Sequence, residues 1–212
     1  MKLVPFAAAA IAGALVLAAC GNSSGHSADH SSAMSGMNMS SAATAATPAS
    51  ATPAASEPHN SQDISFATAM IPHHGQALTM AEMALSKTTN PNVKTLAAAI
   101  KTAQGPEIRT MSGWLTGWGQ PVPSTTMPMD HGGMSMPGMM SDKDMAALDK
   151  AIGRAFDTLW LTQMIIHHRG AITMAKTELA SGQNPAAKQL ADSIIANQSA
   201  EISGMAQLLA AL

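Results

Sequence analysis

The sequence predicts an all-α protein, a four-helix bundle made of two duplicated helical hairpins joined by a methionine-rich crossover. Three observations carry this. The first is a duplication. Asp63-x-x-Phe66-x-x-x-Met70-Ile71-x-His73-His74-x-x-Ala77-x-Thr79-Met80-Ala81 recurs as Asp157-x-x-Trp160-x-x-x-Met164-Ile165-x-His167-His168-x-x-Ala171-x-Thr173-Met174-Ala175, an offset of 157 − 63 = 94 residues. The match runs on without a gap through Asn90-Pro91 and Asn184-Pro185, Glu107-Ile108 and Glu201-Ile202, to Met111 and Met205. The second is periodicity: Phe66, Met70, His74, Ala77, Ala81 and Leu85 follow one another at steps of three and four, as one face of a helix requires. The third is composition. There is no Tyr, and one of the three Phe, Phe6, lies in the N-terminal apolar run. The core must therefore be Ala, Leu, Ile and Met, which suits close-packed helices better than sheets.

The elements follow in chain order. Lys2 and the apolar stretch Leu3 to Ala19 read as a signal peptide over 1–19, too short and Ala-rich for a membrane span. It ends Leu17-Ala18-Ala19-Cys20-Gly21, similar to the bacterial lipobox, so Cys20 is the expected lipidation site and new N-terminus; the plain alternative is a stray thiol. Cys20 is the sole cysteine, so no disulfide within the chain is possible and packing must supply stability. Residues 20–60 are Ser, Ala, Thr, Pro and Gly with almost no large aliphatics, and read as a disordered tether from the membrane.

Residues 61–212 form the expected bundle domain. A first helix carries the 66–85 stripe. Asn90 then caps and Pro91 opens a second, with Leu96, Ile100, Gln104, Glu107, Met111 and Leu115 on one face. Residues 119–141, rich in Pro, Gly and Met, read as a flexible crossover. A short helix at about 142–151 follows, ended by Gly153, and the second hairpin repeats the first. Pro72 and Pro106 fall inside helices and are expected to bend them, whereas their repeat partners Ile166 and Ala200 fit a helix. Asp63 and Asp157 sit near helix starts, where capping explains them best.

Three features carry chemistry. The doublets His73-His74 and His167-His168 lie on or beside the apolar stripe, with Met70 and Met164 one turn before and Met80 and Met174 two turns after. Neutral imidazole ligates copper, zinc, iron and nickel, and thioether selects Cu(I). A single histidine there would read as a packing residue; a doublet duplicated in the same helical phase points to a site. Glu107 and Glu201 lie on apolar stripes with Gln104 and Gln198 one turn before. A carboxylate aimed into a bundle needs a partner: a metal, a histidine that it orients, or Arg109, Arg154 or Arg169. Last come the methionine clusters. His30, Met34, Met37 and Met39 lie in the tether, and Met127, Met129, His131, Met134, Met136, Met139 and Met140 in the crossover. They sit among Gly, Ser and Pro without apolar periodicity, so they read as exposed thioethers that can wrap Cu(I) rather than as core.

The charge balance of −2, without a basic stripe, argues against a nucleic-acid partner. His-Glu-x-x-His, Gly-x-Ser-x-Gly, a phosphate loop and the Glu-x-x-His pair of di-iron bundles are all missing.

At the paired motifs, Met70-Ile71-Pro72-His73-His74-Gly75-Gln76-Ala77 and Met164-Ile165-Ile166-His167-His168-Arg169-Gly170-Ala171, the chain resembles the bacterial domain-of-unknown-function family numbered three hundred and five. That family includes copper-binding proteins of the CopM type. The resemblance covers about 61–212 and implies a ferritin-like helical bundle with a role in metal handling and copper tolerance. The expectation is a non-catalytic copper-binding lipoprotein at the outer face of the cell membrane or in the periplasm, holding Cu(I), with Cu(II) as the alternative. Two rivals stand beside it: a ferritin-like metal oxidase using the histidines with Glu107 and Glu201, and a structural or partner-binding surface domain whose histidines only pack.

Overall fold

A computed structural model describes residues 57–125 and 136–212. The signal peptide, Cys20, the cluster His30, Met34, Met37 and Met39, and Met127, Met129, His131 and Met134 of the crossover lie outside the described residues. Five helices make up the described chain, and no strand occurs among the described residues: α1 Ser61–Lys87, α2 Pro91–Gly117, α3 Asp142–Lys150, α4 Gly153–Ser181 and α5 Pro185–Ala211. No helix among them is long and apolar enough to cross a membrane.

Local sequence sets the helix ends. Asn60 caps α1 by accepting from the amides of Gln62 and Asp63, and Asp63 returns the bond to the Asn60 amide. Asn90 and Asn184 cap α2 and α5, each followed by Pro at the first helical position. Ser141 and Asp144 box the start of α3. Gly153, at φ +56°, makes the sharp entrance to α4 that separates it from α3, as expected from the sequence. Both α1 and α2 continue through Pro72 and Pro106. Packing of the long apolar face outweighs the single backbone hydrogen bond that each proline removes.

The hairpins α1–α2 and α4–α5 pack through α1 and α4, with a lighter contact between α2 and α5. The α1/α4 pair is antiparallel: Asn60 at the start of α1 donates to the Ser181 carbonyl at the end of α4, and Trp160 Nε1 donates to the Met80 carbonyl. At mid-length the ring of His73 meets that of His167 in a tilted contact. These two are separated by the 94-residue offset of the repeat itself, so the pseudo-two-fold relating the hairpins passes between their rings. The expected duplication in sequence is thus a duplication in space.

The core is divided at this level. One buried cluster holds Met80, Ala84, Ile100, Phe156, Trp160 and Met164; the other holds Phe66, Met70, Ile71, Met111, Leu115 and Ile194. The apolar halves cover the two ends of the bundle, and the histidines occupy the middle.

Asp63 and Asp157 join the hairpins rather than only capping them. Asp63, fully buried, accepts from the amides of Gln183 and Asn184 in the α4–α5 turn as well as from Asn60. Asp157 caps nothing; it accepts from the Thr88 hydroxyl in the α1–α2 turn. Each aspartate thereby pins the other hairpin's turn. Residues just before α1 also pack on the bundle: the Pro58 carbonyl accepts from Asn184 Nδ2, and His59 stacks on Trp118 at 4.6 Å.

Glu178 has no counterpart in the first repeat, where Ala84 stands. It is completely buried beside Asp63. Burial, then its hydrogen bond and charge contact with Asp63, push its carboxyl up to about 8. Burial also pushes Asp63 upward, but hydrogen bonds from Glu178 and the surrounding amides outweigh it and hold Asp63 below its usual range. Glu178 is therefore the protonated partner, and its contribution to stability is complete below its ordinary value of 4.5 and lost as pH rises through about 8. Glu178→Gln, which keeps a donor toward Asp63, should melt within a degree or two of the parent at pH 4 and clearly above it at pH 9.5. Equal melting of the two proteins at pH 9.5 would remove the shared proton from this account.

Candidate metal centre

Four helices supply the middle layer. α1 and α4 place His73, His74, His167 and His168 there, each at most 1% exposed. α2 and α5 bring Glu107 and Glu201 against them. His74 Nε2 lies 2.6 Å from Glu107 Oε2, and His168 Nε2 lies 2.7 Å from Glu201 Oε2, with the same 33-residue separation in each repeat. Of the three partners open to the glutamates in the sequence, the structure selects the histidines. Both carboxylates keep an edge at the surface, 15% and 19% exposed, so each His–Glu pair links the interior to solvent.

The ring nitrogens have different roles. A carbonyl can only accept, so the 3.1 Å contact of His73 Nε2 with the Pro137 carbonyl makes that nitrogen the N–H donor. Toward a carboxylate the same holds for His74 and His168. Three of the four imidazoles therefore spend Nε2 on a neighbour, and the Nδ1 atoms of all three are buried without a partner. His167 has neither nitrogen partnered. Gln104 adds both of its amide atoms and Gln198 its Oε1, each one turn before the glutamate that meets a histidine.

Folded proteins leave few buried polar groups unpaired. Here they are concentrated in one layer contributed by four helices, where a ligand would satisfy them. The rings of His73 and His167 lie 3.8 Å apart between centroids, and those within each doublet 6.5 and 6.4 Å apart. Burial, followed by the neighbouring histidines, lowers His73 to about 3 and His167 well below its usual value, so both rings are neutral and able to ligate at neutral pH.

Among the described residues, no three His, Cys, Asp or Glu side chains converge as a ready chelate. A metal here must draw on thioethers or turn the rings. Met70 and Met164, one turn before His74 and His168, are fully buried in the two apolar clusters that flank the layer, the nearest thioethers along each helix. Met80 and Met174 lie farther along, about 10 Å of helix beyond His73 and His167. Met80 packs with Trp160 in one apolar cluster; Met174 is half-buried against the other and lines a shallow apolar cleft with Phe66. The donors present, neutral imidazole with thioether, fit copper in its lower oxidation state better than a hard cation.

The crossover meets this layer directly. Its described ends dock on α1 and α4, with Pro137 on His73 and with Gln76 bonding both the amide and the carbonyl of Met140. Met140 is 5% exposed and belongs to the core, which corrects the reading of the whole run as exposed thioethers. Gln76 fixes its backbone, and the side chain fills the apolar cluster beside Trp160. Met136 and Met139 are half-buried on either side of the Pro137-Gly138 turn. The docking residues Gly75, Gln76 and Gly170 were not singled out from the sequence. The signal available was that the duplication fails at these positions, where Gly75 and Gln76 are matched by Arg169 and Gly170.

Comparison with known proteins bears on the family and the fold. Residues 63–209 match the family described as a domain of unknown function, DUF305. The chain belongs to the DUF305 family. Among solved structures of DUF305 proteins, one from Streptomyces coelicolor, described as secreted, shares 36% identity, with 70% of this chain and 92% of that chain covered and a TM-score of 0.64. A DUF305 fragment from Deinococcus radiodurans shares 32%, covering 73% of this chain and 99% of that one, with a TM-score of 0.65. CopM in its Cu(II)-bound form shares 38%, covering 69% and 95%, with a TM-score of 0.60; CopM has also been solved with Cu(I) and with silver. No curated protein matches the chain. In this DUF305 protein the two paired histidine motifs meet at the centre of the bundle.

Proposed function

We propose that this DUF305 protein is a non-catalytic, extracytoplasmic copper-binding lipoprotein, anchored through Cys20, that sequesters copper or passes it on. The observation that carries the reading is the middle layer: four buried imidazoles, with Nδ1 left over on each, set between Met70 and Met164. The likeness to CopM, solved with Cu(I), Cu(II) and silver, supports the choice of metal. Silver, like Cu(I), favours soft sulfur and nitrogen donors. The engagement of Glu107 and Glu201 with His74 and His168 favours binding over the metal-oxidase reading, because it occupies the carboxylates with orienting the imidazoles. The methionines of the tether, and those of the crossover other than Met140, then serve as capture arms that deliver the ion to the centre.

The test is anaerobic titration of the mature protein with Cu(I), and with Cu(II) and Zn(II) in parallel. Cu(I) should bind in preference to Zn(II) and raise the melting temperature, because a ligand that binds only the folded state stabilises it by mass action. Unchanged melting with no retained metal would favour a bundle whose histidines only pack.

A further inference from the structure

The two repeats differ where the crossover touches them. Gly75 carries the close approach of Thr125: a Cβ there would stand 2.3 Å from the Thr125 carbonyl oxygen. Gly170 carries that of Pro137, whose carbonyl oxygen would be 1.9 Å from a new Cβ. Gly138, at φ +78°, turns the strap so that it lies against the backbone of Ile166 and Gly170. Gln76 then holds Met140 by two hydrogen bonds of 2.7 and 2.8 Å. Small residues, a left-handed glycine and a bidentate amide all serve one result, the Pro137 carbonyl on His73 Nε2. His167, the pseudo-symmetric partner, receives no bond from the strap.

We propose that Pro137–Met140 is a positioning strap that makes the two halves of the centre unequal, fixing His73 with Nδ1 as its metal-binding atom and slowing release of the ion. This rests on the copper-binding reading. Withdrawal of electron density by a metal at Nδ1 makes the Nε2 proton more positive and strengthens its bond to the Pro137 carbonyl. A loaded centre therefore seats the strap more firmly, and a seated strap holds the ring in place to keep the metal. Gly170 and Gln76 act through the strap.

The experiment uses the full chain, loaded anaerobically with one equivalent of Cu(I) and challenged with bathocuproine disulfonate. In Gly170→Ala the added methyl group displaces the strap, while alanine suits the helix better than glycine. Release should be about tenfold faster than in the parent, in the range found when a group supporting a metal ligand is lost. Gly113→Ala, whose Cβ would meet nothing within 4 Å, should release at the parent rate. Gln76→Ala tests the same strap from its other anchor, should Gly170→Ala fold poorly. Hydrogen exchange of the Met140 amide should slow on copper loading in the parent and be fast in Gly170→Ala with or without copper. Parent-like release from both strap variants, or a Met140 amide indifferent to copper in the parent, overturns the strap while leaving copper binding intact. A parent chain that takes up no copper overturns the functional reading itself, and the strap with it.

Discussion

Replacing His74 and His168 together with alanine should abolish the proposed central metal site and leave the bundle folded. Each imidazole is anchored by a glutamate of its own hairpin, so the double variant removes two buried ligand candidates and frees Glu107 and Glu201 to turn toward the solvent they already reach. Truncation to alanine leaves space, and cavities of this kind cost a few kcal/mol in total. Losing two oriented imidazoles should lower Cu(I) affinity by at least a hundredfold, given that loss of a group which merely supports a ligand costs ten- to a hundredfold. The measurements are Cu(I) competition with a chelator and helicity by circular dichroism. A variant that loses its helicity, or one that keeps its copper affinity, would count against these residues as ligands.

The second large effect is on acid stability. His73 is lowered from 6.5 to about 3, and His167 is lowered as well, by burial first and then by the other imidazoles. Unfolding frees both to take up protons. The folded-state values are depressed, so the unfolded chain binds more protons below 6.5, and stability present above that pH is lost as pH falls. For His73 alone the loss at pH 5 is on the order of 2 kcal/mol. In a Glu178→Gln background, which removes the opposing slope of that carboxyl, metal-free protein should therefore melt several degrees lower at pH 5 than at pH 7.5, and His73→Phe should flatten part of that slope. Copper held by imidazole has to compete with the same protons, so loaded protein should lose its added stability over the same range. Melting of the metal-free Glu178→Gln protein that is independent of pH between 7.5 and 5 would show that these rings are not buried in solution.

Much of the architecture was legible because it is local or repeated. Apolar spacing gave the long helices, Asn90-Pro91 and Asn184-Pro185 gave their starts, and the 94-residue duplication gave the pairing of hairpins. The histidine doublets stood out because they recur in phase. What escaped depends on contacts between distant segments. Nothing near Asp157 announces that its partner is Thr88, 69 residues away. Met140 looks like any methionine among Gly and Pro until Gln76 is seen to hold its backbone. Likewise Pro72 carries a general penalty that only the surrounding packing shows to be affordable. The partners of Glu107 and Glu201 were left open among three possibilities, since stripe position fixes depth in the bundle but not which side chain lies opposite.

The axis between His73 and His167 has a consequence for descent. A centre lying on a dyad is one that two identical short chains can assemble by meeting face to face, each giving the same histidine pair. Joining the copies end to end adds what a symmetric pair of separate chains lacks, a single linking segment that must lie against one copy differently from the other. Once it does, selection can act on the halves separately: one imidazole is committed to a backbone carbonyl and the other is left free to change. Duplication within one chain thus allows a site with two equivalent ends to acquire a distinguishable front and back.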